Sequence, residues 1–314
     1  MLELKPPMFY EGCEKKLEVI VDRGCPNLRH LGADFWQRVV HCADAMIVSR
    51  MSNDDCDAYV LSESSLFVWQ DRFVMITCGE TVLANSLMLF AKEIGQAQIA
   101  FVSYQRGKEL LPEQQLSHFV DDVAKIKTVI NGQSYRIGEV SQRHHFLFHS
   151  HKQYQPGSQD CTSELLMYQI RGHVSNYLRQ PQQKNCEILV LLGLKDLLPA
   201  FTFDDYLFSP LGYSLNGISG SQYLTLHITP QESGSYVGCE TNLSDAHLVQ
   251  TIFVQLLKLF DPKTWDVIGF NATLNLPRFS VESASCCLDI EQGYQIEFNY
   301  FEASANGRLL IEKL

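Results

Sequence analysis

The sequence predicts an α+β fold, a four-layer αββα sandwich in which two antiparallel sheets face each other and helices cover their outer sides. Three observations predict it. Segments that alternate apolar and polar residues recur along the chain, as half-buried strands do. Between them lie stretches with apolar residues at helical spacing. The order of these elements then repeats in the second half, as expected of a duplicated unit.

Taken along the chain, residues 16–22 alternate as a strand, and residues 34–50 follow with one apolar helical face. Residues 66–78 read as a hairpin, because two apolar runs flank the polar pair Gln70 and Asp71. A helix over 81–93, a strand over 98–104 and a helix over 113–129 come next. Helical spacing returns at 162–178 and a second hairpin at 223–240, turning over 230–234. A helix over 244–260 and strands over 265–274 and 294–300 complete the pattern. In each half a hairpin runs into a short cysteine-containing segment, Thr77-Cys78-Gly79 or Gly238-Cys239-Glu240, followed by a helix and a strand. Residues 1–314 are therefore expected to form a single domain.

A chain of 314 residues with 46% hydrophobic and 19% charged residues can bury a substantial core, which excludes a largely disordered protein. The formal charge of −11 leaves no basic surface for phosphates, so nucleic acid is not an expected partner. No basic segment followed by an apolar stretch opens the sequence, and no apolar run is long enough to span a bilayer. A cytoplasmic protein without a membrane partner is expected. The ten cysteines contain no CxxC spacing and read mostly as small buried hydrophobes.

Within the strand-like stretch from Tyr59 to Val68, the polar residues Ser62, Glu63, Ser64 and Ser65 interrupt the pattern. One reading is a bulge or tight turn between two strands. The other is chemical. A strained backbone can bring the Ser64 hydroxyl onto the Glu63 carbonyl, giving an oxyoxazolidine and then an ester. β-Elimination and hydrolysis would convert Ser64 into a pyruvoyl group, whose ketone can form a Schiff base with a substrate amine and take up electrons as carbon dioxide leaves.

Leu61-Ser62-Glu63-Ser64-Ser65, followed by Thr77-Cys78-Gly79, resembles the processing site and downstream cysteine of the self-cleaving, pyruvoyl-dependent S-adenosylmethionine decarboxylases. Phe9-Tyr10-Glu11-Gly12-Cys13-Glu14-Lys15-Lys16-Leu17-Glu18 resembles the family's opening block. Gly212-Tyr213-Ser214-Leu215-Asn216-Gly217, Thr225-Leu226-His227-Ile228-Thr229-Pro230 and Ser235-Tyr236-Val237 to Glu240-Thr241-Asn242 resemble its C-terminal half. The resemblance implies cleavage between Glu63 and Ser64 into chains 1–63 and 64–314, with the pyruvoyl group made from Ser64 as the covalent cofactor. It implies that Ser214 holds the oxyoxazolidine and that His227 removes the α-proton, a task suited to an imidazole titrating near neutrality. Cys78 is implied as the proton donor after decarboxylation, and a neutral thiol is a suitable acid for a carbanion. Glu11 and Glu63 take acidic positions at the active site, and Glu14 a supporting one in processing. Tyr10 and Phe208 stand where the substrate's adenine would stack, with Leu61, Glu63 and Gln231 among the substrate-binding positions.

Two positions depart from the family pattern. Gln231, with Glu232 beside it, stands where a ribose-binding glutamate is usual, and Ile76 stands where animal members carry a lysine. The resemblance also implies a buried site for the activator putrescine, with Glu18, Asp160, Thr162, Glu164 and Glu240 as candidates; Asp160-x-Thr162-x-Glu164 reads equally as a helix start. His145, His149 and His151 would share one strand face, but the implied mechanism needs no metal and none is expected. The implied function is decarboxylation of S-adenosylmethionine to the aminopropyl donor of spermidine and spermine synthesis, by a monomer or homodimer of cleaved units. The alternatives are pyruvoyl-dependent decarboxylation of ornithine or arginine, favoured by Gln231, and a silent regulatory paralogue.

Overall fold

The structure, a computed structural model, describes residues 14–109, 112–139, 143–152, 154–180, 182–231, 234–274, 276 and 280–303. The first of its two antiparallel sheets contains β1 (Lys15–Val21), β2 (Ile47–Ser52), β3 (Asp57–Leu61), β4 (Ser64–Val68), β5 (Arg72–Thr77), β6 (Ile99–Gly107), β7 (Gly132–Gly138) and β8 (His144–Ser150). The second contains β9 (Thr162–Ile170), β10 (Thr202–Leu207), β11 (Tyr213–Ser219), β12 (Gln222–Thr229), β13 (Tyr236–Thr241), β14 (Pro262–Phe270), β15 (Ser280–Asp289) and β16 (Gln295–Ala303). Their orders are β2-β3-β4-β5-β1-β6-β8-β7 and β10-β11-β12-β13-β9-β14-β16-β15. Adding eight to each number of the first order gives the second, so the duplication expected from the sequence is present in the topology.

Three helices, α1 (Ala33–His41), α2 (Leu83–Ile94) and α3 (Phe119–Ile126), cover the first sheet. The second is covered by α4 (His173–Leu178), α5 (Asn185–Leu192), α6 (Leu194–Leu197) and α7 (Ala246–Phe260). Alternation along each strand decides which layer a side chain joins. Leu66 and Met75 pack under α1 and α2 with Trp36 and Phe90, whereas Phe67 and Ile76 point the other way and meet Ile218 and Tyr223 of the second sheet. Burial of each such side chain contributes about 1.5–3 kcal/mol, and both faces of each sheet are occupied, giving the expected four layers. Among the described residues no helix is long and apolar enough to cross a membrane.

The helix expected over 162–178 is mostly strand β9, with only α4 helical. β9 lies inside the sheet between β13 and β14, so Leu165, Leu166 and Met167 are buried on both faces, and a two-sided apolar run imitates helical spacing. That strand also removes the helix-start reading of Asp160, Thr162 and Glu164. The helix expected over 34–50 ends at His41; Asp44 then takes a positive φ of 62° and the chain enters edge strand β2. Of the segment 113–129, Phe119–Ile126 is α-helical, and at its start His118 N donates to Asp121 Oδ2 at 3.2 Å.

Candidate active site

β3 and β4 are joined by only two residues, Ser62 and Glu63, with Leu61 paired to Ser64 across the ladder. The turn is tied down from outside: Ser62 N donates to Met46 O at 2.8 Å, and Met46 N donates to Ser62 Oγ at 3.0 Å. Ser64, 2% exposed, has φ 151°. A side chain with a Cβ rarely adopts that backbone, which costs about 1–3 kcal/mol wherever surrounding contacts enforce it. Strain is therefore concentrated on the peptide unit that joins Glu63 to Ser64.

The carbonyl of that unit has two partners on one residue. Cys78 N donates to Glu63 O at 3.0 Å, and Cys78 Sγ donates to the same oxygen at 3.2 Å. The thiol also lies 3.1 Å from His227 Nε2, while His227 Nδ1 is 2.6 Å from Ser214 Oγ. Ser214 and His227 are directly opposed on β11 and β12, so the second sheet presents the pair as a unit to the hairpin of the first. Burial alone pushes the His227 imidazole down to about 4, and it is neutral at physiological pH. Burial, opposed by Lys15 and assisted by Glu80, raises the Glu63 carboxyl to about 7. The Phe208 ring stands edge-on to His227, with centroids 6.3 Å apart.

Lys15 fixes the turn that carries Cys78. Its buried ammonium donates to Gly79 O at 2.6 Å and Thr81 O at 2.9 Å. Glu14, the residue before it, reaches the opposite sheet, where Tyr236 Oη donates to Glu14 Oε2 at 2.6 Å. Gly238, the cross-strand partner of His227, makes that approach possible, because a Cβ there would lie 2.3 Å from Glu14 Oε2. Of the other expected site residues, Leu61 has its side chain in the core beneath the helices, with its backbone at the turn. Gln231 follows β12, and its Oε1 has no donor among the described residues. Tyr10 and Glu11 lie outside the described residues.

The candidate diamine carboxylates lie between the sheets and already hold cations. Lys16 Nζ is 2.8 Å from both Glu164 and Glu240. Arg72 is 2.7 Å from Asp160 and 3.2 Å from Glu18. Burial works against the charge of Asp160, but Arg72, Tyr154 and Tyr294 hold its carboxyl below the ordinary range. Tyr223 Oη donates to Glu240. Glu14, Glu164 and Glu240 bring carboxylate oxygens within 4.8 Å of one another, and burial followed by the Glu164 charge raises Glu14 to about 8. Thr162, at the start of β9, lines a cavity of about 30 Å³ with Glu18, Arg72, Asp160 and Tyr223. Among the histidines, His145 Nε2 is 3.0 Å from Gln105 Oε1 and His149 Nδ1 is 3.1 Å from Ser150 O, while the buried His149 Nε2 has no hydrogen-bond partner among the described residues.

The sequence motifs assign no role to Lys15, Lys16 or Arg72. For the two lysines the available signal was their adjacency at the head of a strand that continues through Leu17, Val19, Ile20 and Val21.

Comparison with known proteins bears on the family and the fold. The family model described as adenosylmethionine decarboxylase matches residues 7–310. The S-adenosylmethionine decarboxylase proenzyme of Dictyostelium discoideum is 33% identical over 275 residues, 81% of this chain and 72% of that protein. The proenzyme of Trypanosoma brucei brucei is 32% identical, over 83% and 75% of the two chains, and that of Drosophila melanogaster 29%, over 94% and 89%. The crystal structure of the Trypanosoma brucei AdoMetDC-delta26 monomer superposes with a TM-score of 0.62 at 21% identity, over 76% of this chain and 99% of that one, and so shares the fold.

Proposed function

Because this chain belongs to the adenosylmethionine decarboxylase family, an enzyme family, we propose that it decarboxylates S-adenosylmethionine for polyamine synthesis, using a pyruvoyl group made from its own Ser64. The observation that carries the reading is the Glu63 carbonyl, held by the Cys78 N–H and thiol at a strained Ser64 and beside His227.

In the self-cleavage we infer, Ser64 Oγ bonds to the Glu63 carbonyl carbon, and the oxygen that becomes negative lies against the Cys78 donors, as an oxyanion requires. The C–N bond then breaks, the amine takes up the hydroxyl proton, and an ester remains. His227 next removes the Ser64 α-proton, and the Cβ–O electrons leave with the Glu63 carboxylate. For Nε2 to act as the base, the Nδ1 hydrogen must be donated to Ser214 Oγ, which is 2.6 Å away. The dehydroalanine that remains tautomerises, adds water and releases ammonia. The products are chains 1–63 and 64–314.

A pyruvoyl group in this place supplies an electron sink once joined to the substrate's amine. Cys78, at the same point, is the group we assign to return a proton to the substrate carbon. Phe208, with Tyr10, is proposed to stack on the adenine, and Gln231 to bond the ribose hydroxyls through its unused Oε1 and its amide. Glu11 and Glu63 complete the proposed acidic positions. We further propose that Lys16 and Arg72 stand in for a bound diamine.

Intact mass tests the cleavage. Two chains are expected, the shorter ending at Glu63, and a chain that stays whole through prolonged incubation overturns it. Carbon dioxide release then tests the substrate. Release from ornithine or arginine but not from S-adenosylmethionine selects the alternative that Gln231 favours.

A further inference from the structure

Ser65, one residue beyond the scissile bond, belongs to a buried polar triad. Its Oγ donates to Asn216 Oδ1 at 2.6 Å and lies 2.9 Å from Thr225 Oγ1, while Thr225 Oγ1 lies 3.0 Å from Asn216 Oδ1. Ser65 and Asn216 are fully buried, and Thr225 is 3% exposed. The triad spans the two sheets, since Ser65 is on β4 and the other two are on β11 and β12.

Its register ties it to the chemistry. Asn216 is opposed to Thr225, and Ser214 to His227, on the same two strands and two residues along. Residues two apart share a face and stand about 7 Å from each other. The second sheet therefore presents two successive cross-strand pairs to the first. One meets Cys78 through His227, and the other meets Ser65. Ser64 lies between these attachments: Ser65 follows it in the chain, and its partner on β5, Thr77, precedes Cys78.

Packing alone does not account for Asn216. Its Nδ2 is buried and has no acceptor among the described residues. A buried amide that leaves its donors unused costs stability, which an apolar side chain of similar size would avoid. What asparagine provides here is an acceptor for two hydroxyls.

We propose that Asn216 is a positioning residue for self-cleavage: by accepting hydrogen bonds from Ser65 and Thr225, it holds the strained Ser64 in register with the Ser214–His227 pair. This rests on the self-cleavage reading above. The acyl shift is sensitive to such placement, because Ser64 Oγ must approach the Glu63 carbonyl carbon from a backbone that ordinary residues avoid, and misplacement by about 1 Å can cost a hundredfold in rate.

The test measures the first step by itself. In a His227→Ala background the ester accumulates, and hydroxylamine cleavage reports how fast. Adding Asn216→Ala should slow that accumulation about tenfold or more. Thr225→Val removes a hydroxyl at constant volume and should slow it as well, and Thr225→Ser should restore it. Melting midpoints are measured alongside. Thr225→Val keeps the test open if Asn216→Ala does not fold. Ester formation at the parental rate in Thr225→Val, or slowing that Thr225→Ser does not relieve, overturns the proposal. Failure of the parent His227→Ala protein to form an ester, with the wild type also uncleaved, points instead to the self-cleavage reading.

Discussion

At Ser64 the backbone and the side chain are needed for the same event. Ser64→Ala is expected to remain one chain of 314 residues by intact mass, because the strained backbone persists but the attacking oxygen is gone. His227 controls the next step, and its environment fixes the pH response. An imidazole lowered to about 4 by burial is neutral, and so able to accept a proton, throughout the range above that value. Conversion of the ester should therefore be level from pH 8 to about pH 5 and fall as the pH passes about 4, followed by stopped-time mass analysis. A fall centred near 6.5, the ordinary histidine value, would mean an imidazole open to water. Ser64, Cys78, Ser214 and His227 were readable from the sequence because each stands in a short motif. Lys15 and Asn216 escape such a reading, because the Lys15 acceptors stand 64 and 66 positions away and Ser65 stands 151 positions from Asn216.

The element that carries Cys78 is a turn whose shape requires glycine. Gly79 has φ 66°, and a Cβ there would lie 2.9 Å from Glu63 Oε2, so Gly79→Ala combines backbone strain of about 1–2 kcal/mol with displacement of the Glu63 side chain. Gly95, after α2, has φ 96° with nothing within 4 Å of an added Cβ, and substitution there gives strain alone. Both alanine variants should melt at lower temperature, but only Gly79→Ala should slow chain cleavage. Equal cleavage rates in the two would remove the turn from the mechanism. The hairpins β4–β5 and β12–β13 were legible because polar turn residues separate two short strand-length runs, and the helices α2 and α7 because one face of each is apolar. β9 was not, since a strand covered on both faces loses its alternation. β2 was hidden differently: as an edge strand it is only half-buried, and it follows a true helix closely enough for the two to read as one.

At the scale of the whole molecule, two sheets close over more negative charge than positive. Glu14, Glu18, Asp160, Glu164 and Glu240 share the space with Lys16 and Arg72, and the deficit is met partly by protons, as the rise of Glu14 to about 8 reflects. A carboxyl raised in the fold above its free value carries no penalty below about 4.5 and an increasing one as the pH climbs to about 8. Glu14→Gln, which imitates the protonated form, should therefore gain stability relative to wild type as the pH rises over that range in denaturant titrations. The two cations set the response to diamines. A bound diamine would need carboxylates without partners, yet Lys16 bridges one pair and Arg72 the other, and the cavity beside Arg72 holds about 30 Å³, room for little more than a water molecule. Decarboxylation by the wild type should consequently be indifferent to added putrescine. Removing one partner from a buried ion pair costs about 3–5 kcal/mol and leaves the other charge exposed to rescue. Arg72→Ala also vacates the space beside Glu18 and Asp160, so it should lower stability and activity together, and putrescine should restore part of both. Lys16→Met, at the inner carboxylate pair, should be the more damaging because Lys16 is the more deeply buried of the two cations. Stimulation of the wild type by putrescine overturns the substitution of diamine by protein cations, and so does an Arg72→Ala enzyme that folds but ignores it.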